Sequence, residues 1–118
     1  MSNPAPKARL VPISEQECLT LLGRCRVGRV ATVVDGVPHV VPVNFAADAR
    51  GVVVFRTGEL TVATKVGLKR VAFEVDQIDA EQHTGWSVVI HGIGHEIGDA
   101  VDPESKRLLQ LPVEPWAS

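Results

Sequence analysis

The residues most able to do chemistry in this sequence do not sit at catalytic or metal-binding spacings. His91 and His95 lie four apart on a segment read as a strand, so they face one way but stand about 13 Å apart at the usual strand rise. They cannot share a metal ion unless a bend at Gly92 and Gly94 folds the strand. Cys18 and Cys25 are seven apart on or beside a helix, which is not a zinc spacing. These residues are read as core cysteines and surface histidines, and no metal site is expected. No GxSxG, HExxH, P-loop or GxGxxG pattern occurs, so nucleophilic catalysis has no local support and no catalytic residue is assigned. Glu74, Asp76 and Asp79 form an acidic cluster that reads as a solvated turn.

A second group is different in kind. Val43 and Asn44 end one apolar run, and Arg56 and Thr57 end the next. Thr61, Thr64 and Lys65 follow at the start of a predicted helix. An arginine grips phosphate through two parallel hydrogen bonds, and a helix start adds free backbone N–H groups. Arg56, Thr57, Thr61 and Lys65 therefore read as a phosphate cradle, and Asn44 offers both a donor and an acceptor to a flat heterocycle.

The elements that must position these residues follow from the pattern. Valine occurs 20 times and tyrosine never, with ten glycines and eight prolines. Valine fits a pleated surface better than a helix, so the chain reads as mostly β-strands joined by tight turns. Residues 1–12 form a flexible arm, and residues 13–118 a single domain. Ser14 and Glu17 make a capping box that opens a helix over 15–23. Asp35-Gly36 between the apolar runs 27–34 and 37–45 signals a hairpin. Pro38 and Pro42 share one side of the second strand and remove two ladder donors, which assigns that strand to an edge or to an irregular stretch. Further strands are expected at 52–56, 70–76 and 86–95, and a helix at 59–68. Residues 77–84 read as a charged loop, and Gly92 with Gly94 as a bulge. Asp102-Pro103-Glu104 opens a last short helix. The sum is a mainly β fold with short helices, a small antiparallel β-barrel.

Several stretches in order carry a resemblance: Val27-Gly28-Arg29-Val30-Ala31, Asp35-Gly36-Val37-Pro38, Pro42-Val43-Asn44-Phe45, Phe55-Arg56-Thr57, Phe73-Glu74-Val75-Asp76 and Gly85-Trp86-Ser87-Val88-Val89. From Ser14 to about Val101 the chain resembles the pyridoxamine 5′-phosphate oxidase-like family, the FMN-binding split barrels, and in particular its short actinobacterial-type members. The resemblance implies an antiparallel split β-barrel homodimer with flavin sites in the subunit interface. It implies that Val43 and Asn44 line the isoalloxazine ring, and that Arg56, Thr57 and a Ser/Thr-Lys pair hold the ribityl chain and phosphate. Trp86 and Ser87 would approach the flavin from the other subunit. Two departures stand out. Val62 occupies the place where the family carries a lysine, with Lys65 one helical turn on to replace it and Glu59 repelling phosphate. Relatives also continue past a Pro-Trp pair like Pro115-Trp116 into a final strand, whereas this sequence ends at Ser118.

Composition bounds the functions. Twelve Lys+Arg against 14 Asp+Glu give a net charge of -2, which excludes a nucleic-acid binder driven by phosphate attraction. No run of 18 apolar residues offers a membrane span, and Met1 to Arg9 does not read as a signal peptide. A cytoplasmic protein follows. The first reading is an FMN-binding oxidoreductase acting on a small-molecule substrate. The alternatives are a deazaflavin (F420)-dependent reductase and a cofactor-free dimeric binding or sensing module. A homodimer is expected in each, because a domain this small gains from an apolar interface.

Overall fold

The computed structural model describes residues 10–55, 69–94 and 102–113. Its elements are helix α1 (Glu15–Arg24), strands β1 (Val27–Val34), β2 (Val37–Ala47), β3 (Val53–Phe55), β4 (Lys69–Asp79) and β5 (Thr84–Gly94), and helix α2 (Pro103–Leu109). The strands form one antiparallel sheet in the order β3-β2-β1-β4-β5, curled into a half-barrel. The fold is the mainly β split barrel that the sequence predicts. The predicted helix at 59–68 lies outside the described residues.

Helix α1 starts where a donor needs a partner. The Glu17 N–H donates to Ser14 Oγ at 3.1 Å, and Glu15 and Glu17 lie at the positive end of the helix dipole. Leu22 is 1% exposed and joins the core, with Cys18, Leu21 and Cys25 packed beside it. The helix runs one residue past its predicted end at Gly23.

The β1–β2 hairpin turns on Asp35 (φ 52°) and Gly36 (φ 77°), the positive pair that a type I′ turn demands. Its register pairs Gly28 with Val43 and Arg29 with Pro42. The Phe45 N–H donates to the Arg26 carbonyl at 2.9 Å, which sets the phase of the ladder. Odd residues of β2 therefore donate toward β1, and even residues face the other side. Pro38 and Pro42 are even. Strand β2 is not the edge strand the sequence predicts, because β3 pairs with it over Phe45 to Ala47; among the described residues no strand pairs with the same side at Pro38 and Pro42, where the ring nitrogens have no donor to give.

The second hairpin is longer than predicted. Strands β4 and β5 pair continuously from Lys69↔Gly94 to Asp79↔Thr84. The charged loop placed at 77–84 shrinks to a turn over 80–83, with the Glu81 and Gln82 N–H groups donating to Asp79 Oδ1 at 3.1 Å each. Polar side chains there face water on a paired backbone, which composition alone misreads as a loop. Gly92 and Gly94 make no bulge, because the register passes through them without a skipped residue.

Alternation then divides the sheet. Gly28, Val30 and Thr32 on β1, Val43 and Phe45 on β2, Phe73 and Val75 on β4 and Val88 on β5 are buried on the inner face. The Phe73 and Phe45 rings meet edge to face, with centroids 4.8 Å apart at 71°. A Cβ built on Gly28 would fall inside contact distance of Phe73 Cζ and 2.8 Å from its Cε2. Only glycine leaves that ring its place.

Helix α2 is fastened by charge. Asp102 caps it, accepting the Ser105 N–H at 2.9 Å, and Pro103 opens its first turn. In the β2–β3 turn, Asp48 Oδ1 accepts the Arg50 and Val52 N–H groups at 2.9 Å each. Its Oδ2 accepts Arg107 of α2 at 2.8 Å, and Arg50 reaches Glu104 at 2.7 Å. Burial pushes the Asp48 carboxyl up, but the Val52, Arg107 and Arg50 donors outweigh it and hold it down to about 2.

Two predictions follow from this packing. Gly28→Ala drives a methyl into the Phe73 ring and lowers stability by about 1–3 kcal/mol in urea denaturation, the usual cost of overpacking. Asp48→Asn removes the charge-assisted bonds to α2 and costs about 1 kcal/mol after allowance for the exposed arginines. A depressed carboxyl stabilises above its unfolded value of 3.8 and loses that contribution as pH falls toward about 2. The gap between wild type and Asp48→Asn is therefore full at pH 5–7 and closes below pH 3.8 in pH-resolved denaturation.

Candidate functional site

Of the eight residues assigned to a cofactor site, four are described, and strand parity divides them. Val43 is 0% exposed and points into the core on the inner face. Trp86 is half-buried on the inner side of β5, packed against the core, and borders an open depression with Ile78, Asp79 and Glu81 at the second hairpin. Asn44 and Ser87 lie on the outer face, on β2 and β5, with β1 and β4 between them. Arg56, Thr57, Thr61 and Lys65 lie outside the described residues, as do Thr64, Glu59, Val62 and His95. Strand β3 is described up to Phe55, the residue before Arg56, and pairs there with Phe45.

The outer face carries a feature that sequence reasoning missed. Arg29 on β1 stands opposite Glu74 on β4. One of its nitrogens, Nη1, reaches both Glu74 Oε1 at 3.2 Å and Asp76 Oδ2 at 2.9 Å. Glu74 and Asp76 are two apart on a strand and so share a face. The expected solvated turn at 74–79 is instead a paired strand, and Asp79 alone serves the turn. The signal was present as Glu-Val-Asp, an alternation of acid and apolar residue, next to the arginine of Val-Gly-Arg-Val-Ala. Burial pushes the Glu74 carboxyl above its ordinary value of 4.5, and Asp76 beside it pushes the same way while Arg29 opposes. Burial, and then the Asp76 charge, also push up the Cys25 thiol.

Around this cluster the outer face is apolar. Val27, Pro42 and Val89 border Asn44, Arg29 and Glu74, and Val40, Val33 and Ile93 continue the surface along the strands. Asn44 and Ser87 offer hydrogen-bonding side chains on the two sides of this face, with Val27 and Arg29 of β1 and Glu74 and Asp76 of β4 between them. Among the described residues no group of three His, Cys, Asp or Glu side chains could hold a metal ion, and no helix is long and apolar enough to cross a membrane.

The sequence profile of the family described as pyridoxamine 5′-phosphate oxidase matches residues 14–118. The chain belongs to that family. Its similarity to known members is distributed along the chain. An uncharacterized protein of Mycobacterium tuberculosis is 31% identical over 99% of this chain and 78% of its own length. The structure of the FAD-binding protein from Mycobacterium smegmatis is 37% identical and superposes with a TM-score of 0.62, over 70% of this chain and 75% of that one. A conserved protein of unknown function from Corynebacterium diphtheriae is 29% identical with a TM-score of 0.70, over 89% and 80%. Within the pyridoxamine 5′-phosphate oxidase family frame, the Arg29 cluster is a property of the central strands β1 and β4, away from the turns.

Arg29→Gln leaves two carboxylates side by side with no cation between them. With half of the arginine side chain in water, the expected loss at pH 7 is about 1 kcal/mol or less in low salt. It shrinks further in 1 M salt, where the Debye length is about 3 Å; urea melts at the two ionic strengths measure it.

Proposed function

We propose that this chain is an FMN-binding oxidoreductase of the pyridoxamine 5′-phosphate oxidase-like family, acting on a small-molecule substrate in the cytoplasm. The observation that carries the reading is family membership across residues 14–118, joined to 37% identity with a protein named for FAD binding. FMN and FAD share the isoalloxazine ring, and the residues on the outer face of this half-barrel suit that ring. When bound, the flavin supplies the electron-pair transfer, and the protein supplies binding, orientation and electrostatics. In this reading the Asn44 amide orients the ring by donating to and accepting from its edge. Ser87 does the same from the other side of the site. Arg56, with Thr57, Thr61 and Lys65, holds the phosphate, and Val43 fixes Asn44 by anchoring β2 in the core.

The reading includes a homodimer with the site at the subunit interface. Its support is the outer face itself: Val33, Val40, Val89 and Ile93 are 57%, 65%, 51% and 64% exposed there. So much apolar area on one side of a small domain is the usual mark of a surface that another protein covers.

The test is the absorption spectrum of purified protein mixed with FMN, FAD or F420 and then freed of unbound cofactor. A retained, perturbed FMN spectrum is expected, and Arg56→Ala is expected to weaken FMN by about tenfold or more, the worth of a charge-assisted phosphate contact. Retention of F420 in place of FMN assigns the deazaflavin class, and a chain that retains none of the three is a binding module. Unchanged FMN affinity in Arg56→Ala removes that residue from the phosphate site.

A further inference from the structure

The described sheet ends on β5 at one side, and on β2 with the short strand β3 at the other. The sequence treats these two sides differently. On β2, Pro38 and Pro42 have no N–H to offer on the side that faces away from β1. Strand β5 runs for 11 residues, TGWSVVIHGIG, without a proline and without an Asp, Glu, Lys or Arg. Charged side chains, prolines and bulges are the usual guards of a sheet edge against a further strand. Strand β5 carries none of them, since its register with β4 skips no residue.

The phase of the ladders decides which groups of β5 point outward. Even residues of β1 bond to β2, so its odd residues bond to β4, Arg29 with Glu74. Odd residues of β4 then bond to even residues of β5, Val71 with Gly92 and Val75 with Val88. The N–H and C=O groups of Gly85, Ser87, Val89, His91 and Ile93 therefore aim away from β4, and among the described residues no strand pairs with them. All of these residues are exposed.

The strand is complementary to itself when turned about Val89. In an antiparallel pairing across a two-fold axis at that residue, Ser87 meets His91, Gly85 meets Ile93 and Val89 meets its own copy on the outer face. On the inner face Trp86 meets Gly92, and Val88 meets Ile90. Ser87 and His91 form a hydrogen-bonding pair, and no charge faces a like charge. The half-buried Trp86 lies opposite a glycine whose added Cβ would find nothing within 4 Å, the arrangement in which an aromatic ring shields a strand glycine. We propose that the free edge of β5 is a strand-pairing site for a second copy of this chain, joined in an antiparallel ladder centred on Val89. The strip is about 36 Å long at about 3.3 Å per residue and about 10 Å deep, under half of the roughly 800 Å² that each partner of a standard interface buries. Main-chain hydrogen bonds rather than area hold it, so the contact forms and breaks with concentration. It runs through the edge of the sheet and leaves the outer face uncovered, so it is separate from the homodimer of the reading above.

Disulfide trapping in the full chain tests the register. Opposed residues of a hydrogen-bonded pair have Cα atoms about 5.5 Å apart, within the reach of a disulfide. Ser87→Cys and His91→Cys chains, mixed and oxidised with glutathione disulfide, are expected to link to each other about tenfold more than either links to itself. Peptide mapping is expected to place the bond between the two introduced thiols and not at Cys18 or Cys25. Val89→Pro in both chains removes the N–H at the axis, and Val89→Lys sets two like charges there; each is expected to cut the yield about tenfold. Circular dichroism confirms the fold of both, and the lysine variant decides where the proline variant does not fold. Either single variant linking to itself as well as the mixture does overturns the proposal. So does a yield that a folded Val89→Pro or Val89→Lys leaves unchanged, or a mixture that forms no such bond. Light scattering of the wild type reads the homodimer separately, so a dimer without the mapped bond overturns the strand pairing alone.

Discussion

The half-barrel depends on one ring lying where a side chain would otherwise be. Phe73 stands opposite Val30 in the β1–β4 ladder and opposite Ile90 in the β4–β5 ladder, and its ring rests on Gly28. The ring edge meets Phe45, which pairs with Phe55 on β3. One contact thus ties all five strands together. On a curled sheet the inner side chains converge, and a large ring fits only beside a position with none. Gly28 is that position, and it pairs with Val43, fully buried, so β2 is drawn down at the point where Asn44 must face outward.

The same curvature has the opposite effect outside. Side chains on the convex face diverge and shield one another from water less than those on the concave one. The valines that give this chain its strands therefore remain exposed on that side. The prolines of β2 belong to the same logic. They lack the N–H groups that a further paired strand would need on that side.

Much of this was legible because the signals were local. Ser14 with Glu17, Asp35-Gly36 and Asp102-Pro103 each fix a turn of backbone through neighbours a few residues away. The prolines of β2 were legible only in part: a proline lacks its donor whatever the tertiary context, but it does not show that β3 pairs farther along the same side, at Phe45 to Ala47. The second hairpin was misread because Gln77, Ile78 and Asp79 are a strand only by virtue of pairing with Trp86, Gly85 and Thr84. Parity split the candidate site in a way that adjacency in sequence hides. Val43 and Asn44 are neighbours on the chain and lie on opposite faces, as do Trp86 and Ser87. The Arg29 cluster escaped notice because its arginine and its acids are 45 and 47 residues apart.

Two charge clusters among the described residues show how burial decides what an ion pair does for the fold. At the β2–β3 turn, Asp48 and Glu104 meet Arg50 and Arg107, two charges of each sign. Every removal there strands a partner, so the cluster resists protonation, and Asp48 is held near 2. On the outer face one nitrogen of Arg29 serves both Glu74 and Asp76 with half of the arginine side chain in water, so solvent screens the pairing and each contact is worth less than the one made to the buried Asp48.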